Sequence, residues 1–218
     1  MSTKPTLFYF PLRGRGEVMK LILAYKGVEY DVVPDMPDMK TNKTLYPFGQ
    51  CPRYKDGELD MCQSNTIIRY LGRKYGLEGK TEADKVVVDM MVEAVESLRS
   101  KYVELIYVNK LSDEAKAVFN STHISKASVD GRNGGAHLDY LAAFIRNGKD
   151  GLLTGELTVG DLAIWDLLDT LMRILKDEIT AEYPELVAFH AKVAEVPGIK
   201  EYLASPLRMA SPNAVPLG

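Results

Sequence analysis

The sequence predicts two domains of different class: an α/β layer, then an all-α bundle. Three observations carry this. Strand and helix signals alternate through residues 1–77. A short polar linker follows at 78–82. From Ala83 onward no strand pattern recurs, while apolar residues keep helical spacing. A chain of 218 residues suits one or two domains at roughly 100–200 residues each.

The elements follow in order. Thr6 to Phe10 is β-branched and aromatic and is closed by Pro11, which predicts a strand. Gly16 to Lys26 sets Val18, Leu21, Ile22 and Tyr25 at helical spacing, with Gly27 as its stop. Glu29 to Val33 is a second strand. Pro34 to Gly49 carries Pro34, Pro37 and Pro47 without a clean period, so it is a loop or a broken helix. Arg53 to Lys55 and Leu59 to Met61 flank Asp56-Gly57-Glu58, a hairpin signal. Ser64 to Tyr75 turns Ile67, Ile68 and Leu71 inward and stops at Gly76. The order is β-α-β, loop, β-β-α.

In the second domain Val87, Met91, Val95, Leu98, Tyr102 and Leu105 run along one long helix. Asp113 to Ile145 is largely helical, with Asp130 to Gly135 as an interruption. Asp161 to Leu175 is apolar on more than one side, the mark of a buried helix. Thr158 and Asp161 form an N-cap and N3 pair ahead of it, with a role in folding. Tyr183 to Val196 and Pro197 to Ala204 complete the bundle, the last opened by Pro197 in its first turn.

Composition narrows the function. Hydrophobic residues make up 46% and charged residues 26%, ordinary for a globular chain that buries a core without staples. A net charge of -3 argues against a nucleic-acid partner. Cys51 and Cys62 form no C-x-x-C pair, so neither a zinc ribbon nor a redox pair is expected, and a reducing compartment fits. Met1 to Phe10 is too short and polar for a secretory leader, and no apolar run approaches the ~20 residues of a membrane span. The expectation is a cytoplasmic protein with no metal and no membrane partner.

Four motifs then stand in order: Tyr9-Phe10-Pro11-Leu12-Arg13-Gly14-Arg15, Pro47-Phe48-Gly49-Gln50-Cys51-Pro52, Gln63-Ser64-Asn65-Thr66-Ile67, and Thr158-Val159-Gly160-Asp161. With them, an α/β domain ahead of an all-α one resembles the cytosolic glutathione transferases of the tyrosine type. The Gln63 to Ile67 turn and Leu98 to Tyr107 are similar to the pi class. Arg13 to Val18 and Pro47 to Gln50 are closer to sigma. The balance leans to pi.

The resemblance implies a thioredoxin-like domain at 1–77 that binds glutathione as co-substrate, and a helical domain at 83–218 that contributes the electrophile site. Tyr9, taken alone a core strand tyrosine, becomes the phenol that holds the glutathione sulfur as thiolate. Gln63 and Ser64, at a helix start where an isolated serine is usually a plain N-cap, become the γ-glutamyl carboxylate site. Cys51 and Pro52 become a backbone edge beside a cis-proline, with the Cys51 side chain outside the chemistry. Lys43 and Gln50 take the glycine end, and Arg15 lies at the mouth. Phe10, Arg15, Val103 and Tyr107 are the expected electrophile residues. Phe48 is the expected aromatic key of a homodimer, with Arg69 and Arg73 pairing with Asp89 or Glu93 across a twofold. Two positions depart from the family: Met39 stands where relatives carry tryptophan, and Ser97 where they carry an aspartate. The same cradle suits three activities: conjugation to hydrophobic electrophiles, a sigma-type prostaglandin isomerase, or a non-catalytic carrier or structural protein. The intact cradle residues speak against the last, and conjugation is the commonest.

Overall fold

The computed structural model describes residues 4–128 and 135–218, so all but Gly135 of the expected interruption from Asp130 to Gly135 lies outside the described residues. The chain divides into two compact units. The first runs to Leu77 and includes Val196–Ala214; the second is Glu78–Glu195 with Val215–Gly218.

The first unit holds a four-stranded sheet of order β2-β1-β3-β4. Strand β1 (Thr6–Phe8) pairs in parallel with β2 (Asp31–Val33) and antiparallel with β3 (Arg53–Asp56), which pairs antiparallel with β4 (Leu59–Cys62). The parallel pair needs a crossover, supplied by α1 (Glu17–Tyr25). The antiparallel pair needs only a tight turn: Asp56 faces Leu59, and Gly57 at φ 60° supplies the left-handed residue. Helix α2 (Ser64–Tyr75) lays a stripe of Ile67, Ile68 and Leu71 inward and ends on Gly76 in the left-handed conformation, whose N–H donates to Arg73 O. Helix α9 (Ile199–Ala204) packs against α1.

The first strand is shorter than its residues suggest. Tyr9 N–H still donates to Val33 O at 3.1 Å, but Phe10 O turns back to accept Leu12 N–H at 2.8 Å, which ends the ladder. Helix α9 also starts later than expected. Gly198 sits at φ 83°, so Pro197 precedes the helix instead of opening it; Pro184 takes the first-turn position, in α8 (Pro184–Ala194).

In the second unit α3 (Glu82–Tyr107) buries Val88, Met91, Val92, Val95, Leu98, Tyr102 and Leu105. Its main neighbour is α6 (Val159–Leu171), buried on nearly every side. The predicted capping pair is present: Thr158 accepts the Asp161 N–H at 3.3 Å, and Asp161 accepts the N–H groups of Thr158 and Leu153, each at 2.9 Å. Between them lie α4 (Asp113–Phe119), a π-helical turn at Asn120–Ile124 and α5 (His137–Arg146). Helix α7 (Lys176–Glu182) went unforeseen because seven residues with one buried apolar position, Ile179, show no periodicity. Helix α8 (Pro184–Ala194) closes on α6 and α5. Among the described residues no helix is long and apolar enough to cross a membrane.

Candidate functional site

Strand register brings distant motifs together. Phe8, Arg53 and Cys62 stand in one row across β1, β3 and β4. One step further toward the same end of the sheet come Tyr9, Pro52 and Gln63. Three of the four sequence motifs therefore converge on one edge of the first unit.

Tyr9 is 7% exposed, and its hydroxyl oxygen accepts the Arg15 backbone N–H at 2.8 Å. The turn wraps the ring closely. A Cβ at Gly16 would stand 2.6 Å from Tyr9 Cδ1, and one at Gly14 would collide with the hydroxyl itself. Gly14 also takes φ 41°, a left-handed value that suits glycine. The 3₁₀ turn Gly14–Gly16 then leads into α1. Arg15 is half-buried beside it.

The loop from 34 to 52 starts and ends at this edge. Gly49 is buried, and an added Cβ there would meet Lys43 Nζ at 3.0 Å, so the Lys43 ammonium lies against this backbone. Lys40 Nζ donates to Gly49 O at 2.8 Å. Sequence reasoning missed Lys40; its spacing of three from Lys43, one turn in a tightly wound loop, was the available signal. Gln50 is exposed next to them. The Cys51–Pro52 peptide is cis. Burial pushes the Cys51 thiol up, opposed by the Phe10 backbone N–H and by Lys40. A raised thiol is a poor nucleophile at neutral pH.

Gln63 joins β4 to α2 at φ 75°, ψ 117°. A non-glycine residue held there costs on the order of 1–3 kcal/mol and is typical of ligand clamps. Gln63 is the N-cap and Ser64 the first helical residue; the Gln63 side chain makes no capping bond to the helix. Ile67 N–H is the first to find an intrahelical partner, Gln63 O. The N–H groups ahead of it face outward from the positive end of a 12-residue helix, the usual setting for a carboxylate.

Phe10 is 40% exposed and lines a cavity of about 680 Å³ with Val32, Pro34, Tyr202, Leu207 and Met209; neither Tyr9 nor Gln63 lines it. Val103 and Tyr107 are half-buried near the end of α3 in the second unit. Phe48 is 60% exposed at its loop tip. Arg69 is half-buried and Arg73 exposed on α2; Asp89 and Glu93 are exposed on α3. Ser97 donates its hydroxyl to Glu93 O at 3.3 Å. Glu17, also missed, is completely buried in the first turn of α1. Its place four residues before Leu21, on the inward stripe, was the signal.

Comparison with known proteins agrees with this architecture. Residues 5–73 match the family model for the glutathione S-transferase N-terminal domain, and residues 96–206 match that for the C-terminal domain. The chain is 33% identical over 205 residues to a glutathione S-transferase of Dirofilaria immitis, covering 94% of this chain and 93% of that protein. It is 33% identical over 213 residues to glutathione S-transferase P of Bos taurus, 95% of each. The solved structure of the Onchocerca volvulus pi-class glutathione S-transferase superposes with a TM-score of 0.77 at 27% identity, over 93% of each chain.

Proposed function

This chain belongs to the glutathione S-transferase family and is a glutathione transferase of pi-like kind, and we propose that it stabilises the attacking thiolate with the Tyr9 hydroxyl. The observation that carries the proposal is the Arg15 N–H donated to the Tyr9 oxygen at 2.8 Å. An oxygen that accepts one hydrogen bond holds its own proton more loosely and donates it more strongly, by about 10–30% per bond in a chain. A free thiol has a pKa near 8.5. A hydrogen bond to the anion is worth roughly 1.5–3 kcal/mol, and one pKa unit is about 1.36 kcal/mol. Tyr9 thus lowers the bound thiol by about one to two units and makes much of it thiolate at neutral pH. The phenol acts as a fixed dipole and not as a base. The thiolate attacks an electrophilic carbon of a hydrophobic substrate: the C–S bond forms, and the leaving group departs or, for an activated alkene, the adduct takes a proton from solvent.

The rest of the cradle orients the tripeptide. The γ-glutamyl carboxylate sits at the N-terminus of α2 on Gln63 and Ser64. The Cys51 backbone beside Pro52 pairs with the cysteinyl residue. Lys43 and Gln50 hold the glycyl carboxylate, with Lys40 adding a second ammonium. Residues 1–77 form the glutathione-binding domain, 78–82 the linker and 83–218 the helical domain, whose Val196–Ala214 segment packs back on the first unit. Phe10 and Arg15 serve the electrophile from the first domain, and Val103 and Tyr107 from the second. The working unit is a cytoplasmic homodimer in which Phe48 inserts into a neighbour and Arg69 and Arg73 face Asp89 and Glu93 of the partner subunit.

Tyr9→Phe is the test. Turnover at neutral pH falls, the KM for glutathione changes little, and the apparent pKa in the kcat/KM profile rises by about one to two units. An unaltered rate at neutral pH overturns the thiolate role.

A further inference from the structure

Glutathione chemistry gives Glu17 no task, yet its carboxylate is wholly buried. A buried carboxylate persists only when charge and hydrogen bonds balance it. Tyr202 Oη donates to one oxygen at 3.0 Å and Arg208 Nε to the other at 3.1 Å. With each oxygen engaged by a different donor, the plane of the carboxylate is fixed. The donors come from α9 (Tyr202) and from the segment after it (Arg208), far along the chain but packed in the first unit.

The same segment grips the turn again a few residues on. Ser211 O accepts the Arg13 N–H at 3.0 Å, and Pro212 O accepts the Gly14 N–H at 3.1 Å. Arg13 and Gly14 immediately precede Arg15, whose N–H holds the Tyr9 oxygen; Glu17 follows two residues later. The turn is thus clamped before Arg15 through backbone and after it through a buried ion pair. Ordinary packing needs only apolar contact. Here the grip uses directional bonds, which fix where the Arg15 N–H points.

We propose that the segment from Tyr202 to Pro212 is a strap that sets the Tyr9 turn, and that Glu17 and Arg208 are positioning residues for thiolate formation. The proposal rests on the Tyr9 role above. Loosening the strap lets Arg15 N–H drift from the phenol, which weakens the bond to sulfur and raises the pKa of bound glutathione.

The experiment titrates the ultraviolet thiolate absorbance of glutathione bound to the full-length protein, beside thermal unfolding and steady-state kinetics. Wild type, Tyr9→Phe, Arg208→Met and Arg208→Lys are compared. Tyr9→Phe raises the bound thiol pKa. Arg208→Met raises it by about half a unit, roughly a threefold change in the thiol–thiolate ratio. Arg208→Lys restores most of the shift, and the KM for glutathione stays within about twofold. A purely structural role lowers the unfolding temperature and leaves the thiol pKa alone. If Tyr9→Phe shifts the thiol and Arg208→Met does not, the strap is refuted while the Tyr9 role stands. If Tyr9→Phe shifts nothing, both fall. Should Arg208→Met not fold, Tyr202→Phe, which removes one donor, is held to the same criterion.

Discussion

A single methyl group at position 16 puts stability and catalysis on opposite scales. Gly16 has φ -86° and ψ -18°, a backbone any residue adopts. Alanine there narrows the unfolded ensemble and gains about 0.4–1 kcal/mol. Against this, the new Cβ stands 2.6 Å from Tyr9 Cδ1, 3.0 Å from Cε1 and 3.1 Å from Cγ. Carbon contacts settle at about 3.5–4.0 Å, so the ring must withdraw by about 0.9 Å. Tyr9 is buried, and overpacking of a filled site costs about 1–3 kcal/mol. The clash wins, and Gly16→Ala loses about 1 kcal/mol net. Activity suffers more, because the displaced ring carries the hydroxyl that meets sulfur. A misplacement near 1 Å costs on the order of 10²-fold. Conjugation of 1-chloro-2,4-dinitrobenzene gives kcat/KM, and denaturant unfolding gives stability. The expected result is a 10- to 100-fold loss in kcat/KM, roughly, with a modest drop in stability. Wild-type kcat/KM in a folded Gly16→Ala protein refutes the claim that the phenol must lie against this turn.

Thr158→Ala removes the hydroxyl that accepts the Asp161 N–H and donates to its carboxylate at 2.5 Å. Unfolding free energy falls by about 1–2 kcal/mol while turnover per folded molecule is unchanged, as thermal melts and kinetics will register. Lys43→Ala removes an exposed ammonium at the proposed glycine end. Solvent screening limits its worth to about 1 kcal/mol, so the glutathione KM rises roughly fivefold with kcat unchanged. At alkaline pH four phenols destabilise the fold. Burial, with Glu17 beside it, pushes Tyr30 up to about 12, and burial pushes Tyr54, Tyr183 and Tyr202 up as well. The unfolded chain loses these protons first, near pH 10, so stability declines as pH climbs from about 10 through 12. Tyrosinate absorbance and circular dichroism followed together should show these phenols ionising with unfolding; full ionisation in an intact fold would contradict it.

Much of the molecule is legible without coordinates. The β-branched and aromatic run from Thr6, the Gly57 turn, the inward stripe of α2 and its Gly76 stop are local, and each reads from residues a few positions apart. Thr158 and Asp161 announce α6 for the same reason, since a cap is chemistry within one helical turn. Helix α7 and the late start of α9 escaped because short helices lack a period to detect.

Sequence alone determined the two classes of domain, the order of strands and helices in the first of them, and the choice of Tyr9, Cys51-Pro52 and Gln63-Ser64 as the chemistry to watch. Only the tertiary structure decided that these stand at one end of the sheet, that Lys40 joins Lys43 at Gly49, and that Glu17 is buried under a segment 191 residues away at Arg208. The physical reason is one of range. Propensity and periodicity act over a few residues, whereas register and burial are settled by the whole chain competing for one core.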